Sequence, residues 1–98
     1  MINPKKKGYQ GEVEVVKILS NLGFAVKRAW GSDGRSINEK PDVDVSAVKD
    51  GLNFKVQVKR RKRLPKYFKF GNSNVLAVRQ DRGKWMFCFG EDVLREIL

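Results

Sequence analysis

The chain has 98 residues, of which 21 are Lys or Arg and 11 Asp or Glu; it has one cysteine and no histidine. That length supports one domain with a modest core. The missing histidine excludes His-based general-base and Ser–His catalysis, and a lone cysteine excludes a disulfide framework and leaves no zinc site. A net charge of +10 is the electrostatic footprint of a polyanion binder, with a basic surface that serves only solubility as the plainer alternative.

In chain order, residues 1–7 read as a mobile basic arm carrying Lys5, Lys6 and Lys7, and residues 8–98 as the domain. A helix is predicted from Gly8 or Tyr9 to Asn21, with Val15, Val16, Ile18, Leu19 and Leu22 as its apolar stripe and Gly23 as its stop. Phe24 to Trp30 reads as a strand, and Gly31 to Lys40 as a loop. Strands at 42–48 and 53–60 form a hairpin around the turn signal Lys49-Asp50-Gly51. Arg60 to Arg63 is a basic run, and Leu64 to Gly71 a short connector. Ser73 to Gln80 and Lys84 to Phe89 read as strands around Asp81-Arg82-Gly83, and Val93 to Leu98 as a last helix. The order defines a single α/β domain with a mixed sheet of about five strands flanked by helices. Cys88, in the run Trp85 to Phe89, is expected in the core. No apolar run reaches the length of a membrane span and no signal peptide opens the chain, so a cytoplasmic protein is expected.

Alternation in the hairpin places Asp42 and Asp44 on one strand face, and sets Lys55, Gln57 and Lys59 opposite the core residues Phe54, Val56 and Val58. Pairing these strands gathers a carboxylate, an amide oxygen and an ammonium, groups that suit a divalent cation and a phosphate. A solvent-facing polar face explains the same alternation. Asp44 is open to two roles, a second ligand or an exposed residue. Glu12 falls on the apolar side of its helix, where a carboxylate needs a partner or a cation, although a first-turn carboxylate also favours the helix dipole. Glu14 reads as a solvated charge. Gly8 and Gly11 permit close approach of another backbone or of a phosphate. Tyr67, Phe68 and Phe70 lie among basic residues, with packing ahead of base stacking or a dimer contact.

The ordered set of Glu12 on a helix, Pro41-Asp42, and Gln57-Val58-Lys59 resembles the PD-(D/E)XK nuclease superfamily. Within it, the pattern is similar to the archaeal-type Holliday junction resolvases and their phage or bacterial relatives. Gly11 to Leu19 followed by Gly23 to Arg28 looks like that family's first helix and strand, and Gly31-Ser32 like its serine-bearing loop. Val75 to Arg79 and Lys84 to Phe87 look like its late strands. The resemblance implies a restriction-endonuclease-like fold in which Glu12 is the helix carboxylate, Asp42 the principal metal ligand, Lys59 the active-site lysine and Ser32 a loop contact to the scissile region. Two departures stand out. Gln57 occupies the usual Glu or Asp position, as in Mrr-like restriction enzymes, and removes a negative charge. Residues 64–72 are too short for the amphipathic helix that the family often uses in its dimer.

The resemblance implies a structure-selective endonuclease that leaves a 5′-phosphate and a 3′-hydroxyl. One or two Mg2+ (or Mn2+) ions would bind Asp42, the Gln57 side-chain oxygen, the Val58 carbonyl and, through water, Glu12. Lys59 would orient the attacking water or stabilise the pentavalent phosphate. Lys5, Lys6, Lys7, Arg28, Arg35, Arg60, Arg61, Lys62, Arg63, Lys66 and Lys69 would hold DNA backbone without reading sequence. Selectivity would come from the shape of branched DNA, and a homodimer would place two sites on symmetric strands of a four-way junction. Nucleoid association follows from that substrate. The rival readings are a non-catalytic DNA-binding module on the same fold, and a general or restriction-type nuclease acting on linear or flapped DNA.

Overall fold

The computed structural model describes residues 4–29, 33–61 and 69–97. Ser32, Lys62, Arg63, Lys66, Tyr67 and Phe68 lie outside them, as do the surroundings of Gly8 and the side chains of Lys5, Lys6, Lys7 and Arg61. The elements run α1 (Pro4–Asn21), β1 (Ala25–Arg28), a short 3-10 helix (Gly34–Ile37), β2 (Val45–Lys49), β3 (Leu52–Arg61), β4 (Val75–Gln80), β5 (Met86–Phe89) and α2 (Glu91–Ile97). The expected order of elements holds, but α1 begins at Pro4, so Lys5 to Lys7 belong to its first turns and not to an arm. Proline suits a helix start because the first turn leaves its N–H groups unpaired in any case.

The five strands form one sheet in chain order, antiparallel except for the parallel pair β3–β4. The Asp50-Gly51 turn, with both residues at positive φ (49° and 83°), closes the β2–β3 hairpin and sets its register at Lys49↔Leu52. Asn74 fixes the start of β4. Its Oδ1 accepts from the Lys55 N–H at 2.6 Å, and its Nδ2 donates to the Asn53 carbonyl at 2.9 Å.

Helix α1 packs one sheet face. Val15 and Leu19 are buried against Val45, Ala47, Val56, Val75 and Ala77, with Phe24, Phe54, Val58, Trp85 and Phe87 around them. Leu22, expected in the apolar stripe, is exposed, because the helix has already ended. The end is a Schellman motif: Phe24 N–H donates to Leu19 at 3.1 Å and Gly23 N–H to Ser20 at 3.0 Å, with Gly23 at φ 94°. Lys49 Nζ takes the Leu22 carbonyl at 2.6 Å. Strand β4 is buried on both faces, Val75 and Ala77 toward α1 and Leu76 and Val78 away from it, as suits a strand with a parallel neighbour. Cys88 is half-buried.

Gly11 is where α1 comes nearest to the far end of β3. A Cβ there would lie 3.4 Å from both Arg60 Cβ and Val58 Cγ1, and 3.5 Å from the Trp85 ring. The close approach that this glycine allows is therefore to protein side chains and not to a phosphate. Gly11→Ala should be nearly neutral, since the gain in helix propensity offsets a tight contact. Gly11→Val should cost about 2 kcal/mol, or roughly 10 °C in Tm, by prising α1 off β3. Thermal melts of the two variants check this, and a Gly11→Val protein as stable as wild type would place α1 elsewhere.

Candidate active site

The site lies where β2 starts, beside the middle of β3 and the first half of α1. Asp44 precedes β2 but continues its ladder: its N–H donates to the Val56 carbonyl at 2.9 Å, and its carbonyl accepts from Ala29 N–H at 2.8 Å. The β2–β3 pairing ends at Val45↔Val56, and Asp44 bonds to the carbonyl of that same Val56. Its carboxylate turns in, 8% exposed, and Oδ2 accepts from the Val58 N–H at 2.8 Å. Burial pushes its pKa up from 3.8 to about 6; the Val58 N–H opposes that shift, the Glu12 charge adds to it, Lys59 opposes it and Asp42 adds to it.

Glu12 is 3% exposed, and its Oε1 accepts from Arg28 Nη1 at 3.3 Å. Arg28 also lies over the Tyr9 ring, with Cζ 4.7 Å from its centroid. Gln57 and Lys59 are half-buried on β3, and the Lys59 charge reaches Asp44. Arg60 Nη1 donates to Gln10 Oε1 at 3.1 Å, a second tie between β3 and α1.

Asp42 is placed differently from the expectation. It does not begin a strand or share a face with Asp44. Val43 N–H donates to the Lys40 carbonyl at 3.0 Å, and this turn swings Asp42 toward the connector. There its Oδ2 accepts from Asn72 N–H at 2.8 Å and its Oδ1 from Asn72 Nδ2 at 3.2 Å. The Asn72 N–H holds its pKa below the usual value. Asp42 thus pins the start of β4, while the Asp44 carboxylate is the one buried beside Glu12. Glu14, expected to be solvated, binds Arg79 Nη1 through both carboxylate oxygens at 2.9 and 3.1 Å. Of the basic residues expected on DNA, Arg35 is clamped to Asp33, whose pKa is lowered by that pairing, and Lys69 is exposed.

Among the described residues, no group of three His, Cys, Asp or Glu side chains is gathered as a metal site. Glu12 and Asp44 are two buried carboxylates, close enough for the Glu12 charge to act on Asp44. Carboxylate oxygens match a hard divalent cation, and a cation there would offset the burial that chiefly raises Asp44 and the Glu12 charge that adds to it.

A helix carboxylate, a buried strand-edge Asp and a Gln-x-Lys on a mixed sheet define the PD-(D/E)XK class of nucleases. A family model described as archaeal Holliday junction resolvase (hjc) matches residues 3–96, and the chain belongs to that family. It therefore stands among the DNA-binding endonucleases of recombination and repair. No curated protein and no solved structure matches the chain. No helix among the described residues is long and apolar enough to cross a membrane.

A group with a raised pKa lends stability that is full below its unfolded value and is lost as pH climbs through the folded one. Asp44 is such a group, with values of 3.8 and about 6. In EDTA, Asp44→Asn should therefore gain on wild type as pH rises from about 4 to 7, by roughly 5 °C in Tm. A difference in Tm that does not move with pH would mean that the Asp44 carboxylate is solvated.

Proposed function

We propose that the protein is a metal-dependent endodeoxyribonuclease that resolves four-way DNA junctions. The observation that carries this reading is the buried Asp44 carboxylate, held by the Val58 N–H and under the charges of both Glu12 and Lys59. Asp44, the Gln57 amide oxygen, the Val58 carbonyl and, through water, Glu12 would hold Mg2+ or Mn2+. Asp44 takes the ligand role that the resemblance gave to Asp42. When bound, the cation lowers the pKa of the attacking water and polarises the phosphodiester.

The chain's own residues do the rest. The Val58 N–H on Oδ2 fixes the Asp44 carboxylate, so that Oδ1 is aimed without reorganisation. Lys59 donates to a non-bridging phosphate oxygen and stabilises the charge that grows as the pentavalent phosphate forms. Arg28, already paired with Glu12, supplies a guanidinium for the neighbouring phosphate. Lys69, Arg60 and the other basic residues of the chain hold the strand by charge, and Ser32 keeps the role of a loop contact that the resemblance gives it. A homodimer would present two such sites to the two symmetric strands of a junction in the nucleoid.

Gln57 favours a second reading, a DNA-binding module that has lost catalysis with its third acid. Incubation of a labelled four-way junction and a matched linear duplex with Mg2+, Mn2+ or EDTA decides between them. Paired symmetric cuts in the junction alone support the resolvase; cutting of both substrates makes it a general nuclease. Binding without cutting in either metal leaves the module.

Asp44→Asn and Lys59→Ala should each lower cleavage at least about 100-fold while junction binding stays within a few-fold, since each removes a group used at the transition state. Asp42→Asn should keep most activity and lose some thermal stability. If Asp42→Asn is the dead variant and Asp44→Asn cuts normally, the assignment is reversed. Gln57→Glu should tighten Mg2+ binding about tenfold, by adding a charge to the ligand set; an unchanged calorimetric Mg2+ titration would remove Gln57 from the site.

A further inference from the structure

Tyr9 is 54% exposed on the second turn of α1, and adds nothing to the core. Its position is nonetheless well determined. Arg28 lies against its ring with Cζ 4.7 Å from the centroid, and the same guanidinium reaches Glu12 Oε1 at 3.3 Å. One side chain thus links the aromatic ring to the buried carboxylate of the candidate active site. The next residue along, Gln10, is tied to Arg60 at 3.1 Å, so this turn of the helix is braced against β3. An aromatic ring flanked by Arg28, on a helical turn that Gln10 ties to Arg60, is chemically suited to a nucleic-acid base whose own phosphates meet those cations.

We propose that Tyr9 is the platform on which a base stacks at the branch point of a DNA junction, and that this contact carries part of the preference for branched over linear DNA. The inference rests on the reading of the site as a junction nuclease and names how that site recognises its substrate. In a continuous duplex every base is stacked on both faces, so the ring has nothing to bind. At a branch point stacking is interrupted and a base face is available. Arg28 covers one face of the ring and stiffens it; the open surface receives the base. Phosphate contacts alone would treat the two DNAs alike.

The test is binding without cleavage. Fluorescence anisotropy in EDTA at fixed salt would give Kd for a four-way junction and for a linear duplex of equal length, with wild type, Tyr9→Phe and Tyr9→Leu. Tyr9→Phe keeps the ring, whereas Tyr9→Leu keeps apolar bulk and helix propensity but cannot stack. The expected result is a junction Kd about tenfold weaker for Tyr9→Leu, a duplex Kd within about twofold, and Tyr9→Phe close to wild type on both. Equal weakening on both DNAs, or a Tyr9→Leu protein that keeps its full junction preference, would overturn the proposal and leave the nuclease reading standing. A wild-type protein that binds junction and duplex equally would instead remove the junction reading itself, and this inference with it.

Discussion

The register of the β2–β3 hairpin is the constraint on which the candidate site depends. A one-residue slip in an antiparallel pair moves every side chain to the opposite face. Here the Asp50-Gly51 turn sets Lys49 against Leu52, and that pairing runs back to Val45 against Val56. One step further the β2–β3 pairing has ended, and the Asp44 backbone bridges Ala29 and Val56. Held there, the Asp44 side chain turns inward to the Val58 N–H instead of into solvent. The alternation of β3 sends Phe54, Val56 and Val58 to α1, with Gln57 and Lys59 at the intervening positions.

Helix α1 completes the arrangement by coming close. Gly11 lets it lie against Val58, Arg60 and Trp85, and the next residue, Glu12, is thereby buried near Asp44. Two carboxylates in one apolar setting repel, and the chain moderates this in two ways: Arg28 pairs with Glu12, and the Lys59 charge acts on Asp44.

Much of the fold was legible in the sequence, for local reasons. The two-residue turn, the helix stop at Gly23 and the alternation through β3 each depend on backbone preferences and burial that neighbouring residues express themselves. The burial of Glu12 was legible because a carboxylate on the apolar side of a helix is visible as a break in the pattern. The different settings of Asp42 and Asp44 were less so. The motif Pro41-Asp42 drew attention to the first carboxylate, whereas the fold buries the second. The turn formed by Lys40 and Val43, and the Asn72 that receives Asp42 from 30 residues away, lie outside any local pattern.

The sequence by itself determined an α/β chain of high positive charge, its strand hairpin, and a polar set able to hold a cation and a phosphate, because composition and periodicity are properties of near neighbours. Only the tertiary structure decided that Asp42 turns to Asn72, that Glu14 is claimed by Arg79 across the α1–β4 contact, and that Arg28 joins Tyr9 to Glu12. Those outcomes depend on groups 16 or more residues apart in the chain being brought within 5 Å by helix–sheet packing, and no local preference encodes such a distance.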